Sequence, residues 1–175
     1  DCSPNITEAI NDYFKISKRV LIKGSPMLDI SAIIRELPYV KEIAVVALNN
    51  ECKEIPTYLE YGYQGGGIIC ADNIITKREE RVSSFSSTID KESAAVVKFA
   101  DKIEGYLHIP NRAILKAGFF KTVSEYFSLL KIAKSSHIYT SDIIPENFPG
   151  RTLKVIEVIK NKKKGIKEVS QKYPK

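Results

Sequence analysis

A strand, a helix and a second strand follow one another between residues 19 and 48, and this unit constrains the fold more than any other feature of the chain. Residues 19–23 and 41–48 are segments of strand length with apolar runs at 20–22 and 43–48. Between them, apolar side chains from Ile30 to Leu37 recur at helical spacing, and Pro38 ends the helix. A unit of this length predicts two parallel strands joined by a right-handed crossover, and hence an α/β arrangement.

The segments flanking this unit contain the N-terminal residues that could carry chemistry. An apolar stripe predicts a helix over residues 4–16, and Ser25 with Pro26 is expected to start the later helix. Lys23 precedes this turn at a strand end, where α/β proteins bind ligands, but a structural turn is the better interpretation. Residues 51–54 place Cys52 among charges with no histidine nearby in sequence, so we interpret them as a polar turn between strands.

The middle of the chain changes pattern and is expected to link two domains. Residues 56–63 and 68–75 predict a strand and its return across a glycine turn. Residues 81–89 alternate weakly, as an edge strand does, and residues 90–100 predict a helix. We therefore place the boundary near residue 90, with an N-terminal domain over residues 1–90 and a C-terminal domain over residues 91–175.

The C-terminal part predicts a small α+β domain with a mixed sheet. Residues 106–109 alternate as a strand, and Asn111 is expected to cap a helix whose core face includes Ile114. Gly118 allows a bend after this helix. Further strands are predicted in residues 135–141 and 152–159, and a last basic helix in residues 165–172.

Positive charge is concentrated in the second half of the chain. Residues 101–175 contain 15 Lys and Arg against 7 Asp and Glu, a net charge of +8, whereas residues 1–100 have a net charge of −2. Such asymmetry favours an anionic partner, and nucleic acid is the partner expected. The alternative is that the Lys160–Lys164 tract serves only solubility.

Several other classes of function are disfavoured by composition. The cysteines form no CxxC pair and the chain has only 2 histidines, so no metal site is predicted. An odd cysteine count fits a reducing compartment, and a cytoplasmic location is expected. No apolar run approaches the ~20 residues of a membrane span, so no membrane partner is expected. No triad-like set of catalytic residues is evident.

The candidate binding residues for RNA lie in the basic half. Backbone amides at a helix start and nearby cations form a plausible phosphate surface, and aromatic rings stack on unpaired bases. The alternative for each residue is an ordinary packed or solvated side chain. The candidates are Arg112, Lys116, Lys121, Lys131, Lys134, His137, Tyr139, Thr140 and Arg151.

The order of motifs resembles a group of bacterial S-adenosylmethionine-dependent methyltransferases, common in the Bacteroidetes, with a THUMP-like C-terminal domain. The resemblance is carried by residues 1–5, 22–30, 49–54, 110–111, 114–118, 136–141 and 148–151. It implies that residues 1–75 are either the last strands of a methyltransferase sheet or a ferredoxin-like unit. It also implies that residues 100–160 form the THUMP-like module, which helps to deliver RNA. One departure is that His108 and Ile109 stand where the group tends to have an aromatic and an acidic residue.

The function implied by this resemblance is that of one part of a longer enzyme. Asp1 is not a methionine, and the chain has neither the Gly-rich cofactor loop nor the acidic-Pro motif of such enzymes. We therefore expect no catalytic residue and no cofactor in this chain, with S-adenosylmethionine bound by a preceding catalytic domain. The expected role is binding of tRNA or rRNA. The alternative is a protein-interaction or dimerisation module that packs on the catalytic domain.

Overall fold

The structure is a computed structural model that describes residues 4–76, 80–103, 105–159, 169 and 171–173. Its helices are α1 (Ile6–Ile16), α2 (Ile30–Glu36), α3 (Ile89–Ala94), α4 (Arg112–Ala117) and α5 (Lys121–Tyr126). Its strands are β1 (Arg19–Gly24), β2 (Val40–Leu48), β3 (Glu51–Glu60), β4 (Ile68–Ile75), β5 (Arg81–Ser87), β6 (Tyr106–Pro110), β7 (Leu130–Lys131), β8 (Tyr139–Ser141) and β9 (Gly150–Lys154).

The N-terminal strands form a five-stranded sheet in the order β1-β3-β2-β4-β5. Strands β1 and β2 run in the same direction, as predicted, but β3 lies between them and is antiparallel to both. The reason is the two-residue turn at Asn49 and Asn50, whose φ angles are 50° and 67°. Two positive φ angles are the signature of a type I′ hairpin, which pairs β3 directly with β2.

Three local expectations were wrong. Residues 51–54 begin β3 and are not a turn, because Asn49 and Asn50 already reverse the chain. Strand β4 does not return along β3 but pairs in parallel with β2. Helix α2 begins later than expected because Asp29 is its cap, accepting from the backbone N–H of Ser31 at 2.9 Å.

One face of the five-stranded sheet is the main core. Burial alternates along β2, where Ile43, Val45 and Ala47 are completely buried and their neighbours are not. Helices α1 and α2 contribute Ile10 and Ile33 to this core, and helix α4 packs on the sheet. The C-terminal helix α4 therefore shares one continuous core with the N-terminal sheet.

The remaining strands form a four-stranded sheet in the order β7-β8-β6-β9. The α+β class with a mixed sheet is confirmed, but the parallel pair lies in the five-stranded sheet, and every pair of the smaller sheet is antiparallel. Strand β9 covers residues 150–154, ending earlier than the predicted strand. Most of the predicted helix over residues 165–172 lies outside the described residues.

Helix α5 is anchored by a carboxylate from α3. Glu92 accepts hydrogen bonds from the backbone N–H groups of Phe120, Lys121 and Thr122 at 2.8–3.0 Å, and from the Thr122 hydroxyl at 2.7 Å. These are donors at a helix start that α5 itself cannot satisfy. No helix among the described residues has the length and apolarity needed to cross a membrane.

Candidate nucleic-acid interface

A cleft of about 910 Å³ lies where the two sheets meet. One wall is the β2–β3 turn with the ends of β4 and β5 that lie beside it. The other wall is the end of β6, the start of α4 and residues 147–151. Its volume is within the range of protein pockets that hold ligands.

Three arginines line this cleft. Arg81 comes from the first residue of β5, Arg112 from the first residue of α4 and Arg151 from β9. All three are exposed, and none forms an ion pair with a described carboxylate. No described Asp or Glu lines the cleft. The described lining of the cleft therefore carries only positive charge, and guanidinium groups are donors that suit an anion.

The two walls are held together by hydrogen bonds through the Asn49–Asn50 turn. The side-chain oxygen of Asn50 accepts from the backbone N–H of Arg112 at 2.7 Å. The side-chain oxygen of Asn73 accepts from the backbone N–H of Asn50 at 2.8 Å. The first bond joins the two walls and fixes the backbone of Arg112 relative to the N-terminal wall, and the second holds the Asn49–Asn50 turn against β4.

Asn111 lies at the junction of β6 and α4 and is 5% exposed. Its side-chain oxygen caps α4 by accepting from the Ile114 N–H at 3.0 Å, as the sequence predicted. Its side-chain nitrogen, Nδ2, is buried without a hydrogen-bond partner, and within the described part of the chain it is the one buried side-chain atom in that condition. Such a group is unusual because buried polar groups are normally paired.

The wall beside Asn111 is tightly packed. The backbone N–H of Asn111 donates to the carbonyl of Pro149 at 2.9 Å. A Cβ atom at Gly150 would collide with the carbonyl of Ile109 and approach the Phe148 ring at 2.6 Å. Only glycine fits here, so the Pro149–Gly150 turn serves close approach of two backbones.

The structure places two of the nine predicted site residues in the cleft, Arg112 and Arg151. Arg81 was missed because it lies in the half of the chain that has no excess positive charge. Only the topology of β5, at the edge of the sheet beside the cleft, brings it to the site.

The predicted lysines lie elsewhere. Lys116 is on α4 outside the cleft lining. Lys121 donates to the carbonyl of Ser93 at 2.9 Å. Lys131 is 8% exposed and donates to the carbonyl of Lys134 at 3.0 Å. The ammonium groups of Lys121 and Lys131 are thus bound within the protein.

The predicted aromatic strand is part of the core. Tyr139 is completely buried and its hydroxyl donates to the Phe120 carbonyl at 2.7 Å, so the expectation that it stacks on a base is wrong. Burial, with a smaller contribution from Glu92, raises the pKa of Tyr139. Thr140 is also completely buried and donates to the Tyr106 carbonyl at 2.8 Å. His137 is exposed but already stacks on Phe120, with ring centroids 3.9 Å apart.

Two groups that suggest catalysis are in structural environments. Burial raises the pKa of the Cys52 thiol, which donates to the Arg112 carbonyl at 3.4 Å. His108 is completely buried and contacts the hydroxyls of Thr152 and Ser141 at 3.0 and 2.8 Å. Burial also lowers the pKa of His108. A high thiol pKa and an enclosed imidazole disfavour nucleophilic or acid–base roles.

Comparisons with known proteins agree with parts of this description. Residues 106–149 match the model of a family described as a ferredoxin-like domain. The match runs from β6 to the residue before β9, whereas the sequence had suggested a ferredoxin-like unit in the N-terminal part. No curated protein matches the chain.

A solved structure resembles nearly the whole chain. It is described as a "putative methyltransferase from Porphyromonas gingivalis W83", with 31% sequence identity and a TM-score of 0.91. The match covers 99% of this chain and 44% of that protein. This chain therefore spans less than half the length of the protein that it resembles.

Proposed function

We propose that this chain is the RNA-holding part of an S-adenosylmethionine-dependent methyltransferase, and that the arginine-lined cleft binds the RNA backbone. The observation that carries the proposal is the cleft itself, lined by three exposed guanidinium groups and by no described carboxylate. A cleft of one charge sign attracts an oppositely charged ligand and raises its local concentration.

The choice of a phosphate-bearing ligand follows from the type of cation. Guanidinium is planar and always charged, and it presents paired donors that match phosphate oxygens. The apolar side chains of Val82, Leu115 and Phe148 also line the cleft. A charged rim beside apolar walls suits the phosphates and bases of an unpaired strand. The ligand expected is a strand of tRNA or rRNA.

The assignment to a methyltransferase is supported by the solved structure that resembles this chain over 99% of its length. The cofactor and the methyl transfer belong, in this proposal, to a separate catalytic domain of the same protein. In this proposal the glycines at 65–67 form a turn between strands and not a cofactor loop, and the chain supplies no acidic-Pro motif to hold S-adenosylmethionine. The THUMP-like character of the C-terminal domain is part of the same proposal.

The test is the affinity for a fluorescently labelled single-stranded RNA as a function of salt. The variant combines Arg81→Ala, Arg112→Ala and Arg151→Ala. We expect its affinity to fall at least tenfold. The slope of log affinity against log salt concentration should become less negative by about 2, since each lost phosphate contact contributes about 0.7 to that slope. The variant should unfold at the same temperature as the wild type, because all three side chains are exposed.

A charge-matched control removes three cations that lie outside the cleft, with Lys18→Ala, Arg19→Ala and Arg35→Ala. We expect this control to change affinity by about twofold or less, the size of a long-range charge effect screened by salt. Equal losses in the two triple variants would show that net charge, and not the cleft, binds RNA.

A further inference from the structure

We infer that Asn111 is a specificity-determining residue of the cleft, and that its Nδ2 donates to an uncharged acceptor on the edge of an unpaired base. The inference rests on the proposed function, since it assumes that the cleft holds RNA. It adds the chemical group that would pair with the one described buried side-chain atom that has no partner, and that atom belongs to a residue of the cleft lining.

The first support is the unpaired donor itself. Nδ2 has less than 1 Å² of accessible surface and no partner among the described residues. Turning the amide over does not help, because the Ile114 N–H needs the side-chain oxygen at 3.0 Å. An unpaired buried donor is costly, and a residue that lines a ligand cleft can regain the lost hydrogen bond from the ligand.

The second support is the division of polar groups by depth. Arg112 and Arg151 are exposed, whereas Asn111 is only 5% exposed and its Nδ2 is buried. A phosphate carried to that depth would lose its hydration without a buried cation to compensate for the loss. A base carbonyl or ring nitrogen is uncharged and can enter at lower cost. Contacts to phosphates position a nucleic acid, and contacts to base edges specify it.

Binding at Nδ2 requires a local movement. Since the nitrogen is closed to solvent, an entering base edge has to part the side chains above it. The expected sign is a change in the side-chain amide resonance of Asn111 in an NMR titration, larger than the changes of Asn50 and Asn73, whose oxygens accept within the protein.

The deciding experiment compares Asn111→Ser with the wild type on two probes. One probe is a short oligouridine, whose bases carry carbonyl acceptors, and the other is its abasic counterpart with the same number of phosphates. Serine is as good a helix cap as asparagine, so α4 should be kept while the amide donor is removed. We expect a threefold to tenfold loss, about the worth of one neutral hydrogen bond, on oligouridine only.

Each other result overturns the inference in an identifiable way. An equal loss of affinity for both probes would mean that Nδ2 donates to a phosphate and not to a base. No loss of affinity for either probe would mean that Asn111 serves only as the cap of α4. Wild-type protein that binds neither probe would instead refute the proposed function. If the serine variant fails to fold, Asn111→Asp keeps the cap and the shape, and Asn147→Asp, at an exposed residue of the same cleft, controls for the added charge.

Discussion

Two basic regions of this molecule differ in how their cations are used. In the cleft, Arg81, Arg112 and Arg151 are exposed and have no described carboxylate partner. In the basic segment, which we define as residues 121–140, Lys121 and Lys131 donate to backbone carbonyls. The cleft can offer its charge to a ligand, whereas much of the charge of the basic segment is bound within the fold.

The physical origin of this difference is the short length of the strands in the basic segment. The strands β7 and β8 have two and three residues, too few to satisfy a loop by backbone pairing alone. Side chains such as Lys131 then serve the loop carbonyls, which must find partners when buried. In the cleft, backbone groups are satisfied by strand pairing and by the side chains of Asn50, Asn73 and Asn111, so the arginines are not needed for that purpose.

The largest expected effect is at Tyr139, whose substitution tests whether the basic segment is structural. Tyr139→Ala removes a completely buried ring and its hydrogen bond to Phe120, so we expect a loss of about 3–5 kcal/mol in the free energy of unfolding. Denaturant unfolding measures it. Tyr126→Ala, at a tyrosine that is 74% exposed, is the control and should cost less than about 1 kcal/mol. Similar losses in both variants would contradict the burial of Tyr139.

The next effect in size concerns Glu92, which anchors the start of the basic segment. Glu92→Ala leaves three backbone N–H groups and the Thr122 hydroxyl without their acceptor, so we expect a loss of about 2–3 kcal/mol. Glu125→Ala, an exposed carboxylate on α5, is the matched control and should change stability by about 0.5 kcal/mol or less. The two variants should bind RNA equally. If Glu92→Ala binds RNA more weakly under conditions in which it is fully folded, the basic segment takes part in binding.

These contrasts show what a single sequence reveals and what it does not. The helix cap at Asn111, the strand β6 and the core positions of α4 follow local rules of spacing and capping, and all three were predicted. The insertion of β3 between β1 and β2 was missed, because hydrophobic spacing identifies strands without ordering them. The two asparagines with positive φ contained the missing information, since such a pair favours a tight hairpin.

The candidate site was harder to predict than the fold. Arg112 and Arg151 were predicted from charge, but charge alone could not separate them from Lys131, which is buried, or find Arg81 across the chain. The unpaired amide of Asn111 has no sequence signal at all. It depends on the three-dimensional packing that buries Nδ2 while Oδ1 caps α4.

A smaller effect is expected from pH, through the buried His108. The Ser141 hydroxyl donates its proton to the Ile143 carbonyl at 2.5 Å, so toward His108 it can only accept, from the Nε2–H group. The neutral ring then has no proton on Nδ1, which accepts from the Thr152 hydroxyl. Burial lowers the pKa of His108, so below its ordinary value of about 6.5 the unfolded chain binds more protons than the folded one. Stability should therefore fall as pH drops below about 6.5.

The control for this pH effect is the second histidine. Burial lowers the pKa of His137 as well, but that residue is exposed, so its contribution to the pH dependence should be smaller. The check is the unfolding temperature measured at a series of pH values. The His137→Gln variant should keep most of the pH dependence of the wild type, and the His108→Gln variant should lose part of it. The reverse order would show that the His108 ring is not held neutral by burial.

The smallest effect returns to the cations of the basic segment. Lys121→Ala with Lys134→Ala removes two positive charges that the sequence assigned to RNA, but Lys121 already donates to Ser93 and neither residue lines the cleft. We expect the affinity for single-stranded RNA to change by about twofold or less, as for a screened charge at a distance. Arg112→Ala with Arg151→Ala removes the same charge from the cleft and is the comparison measured beside it. If the lysine pair lowers affinity as much as the arginine pair, the RNA path extends over both regions and the cleft is only one end of it.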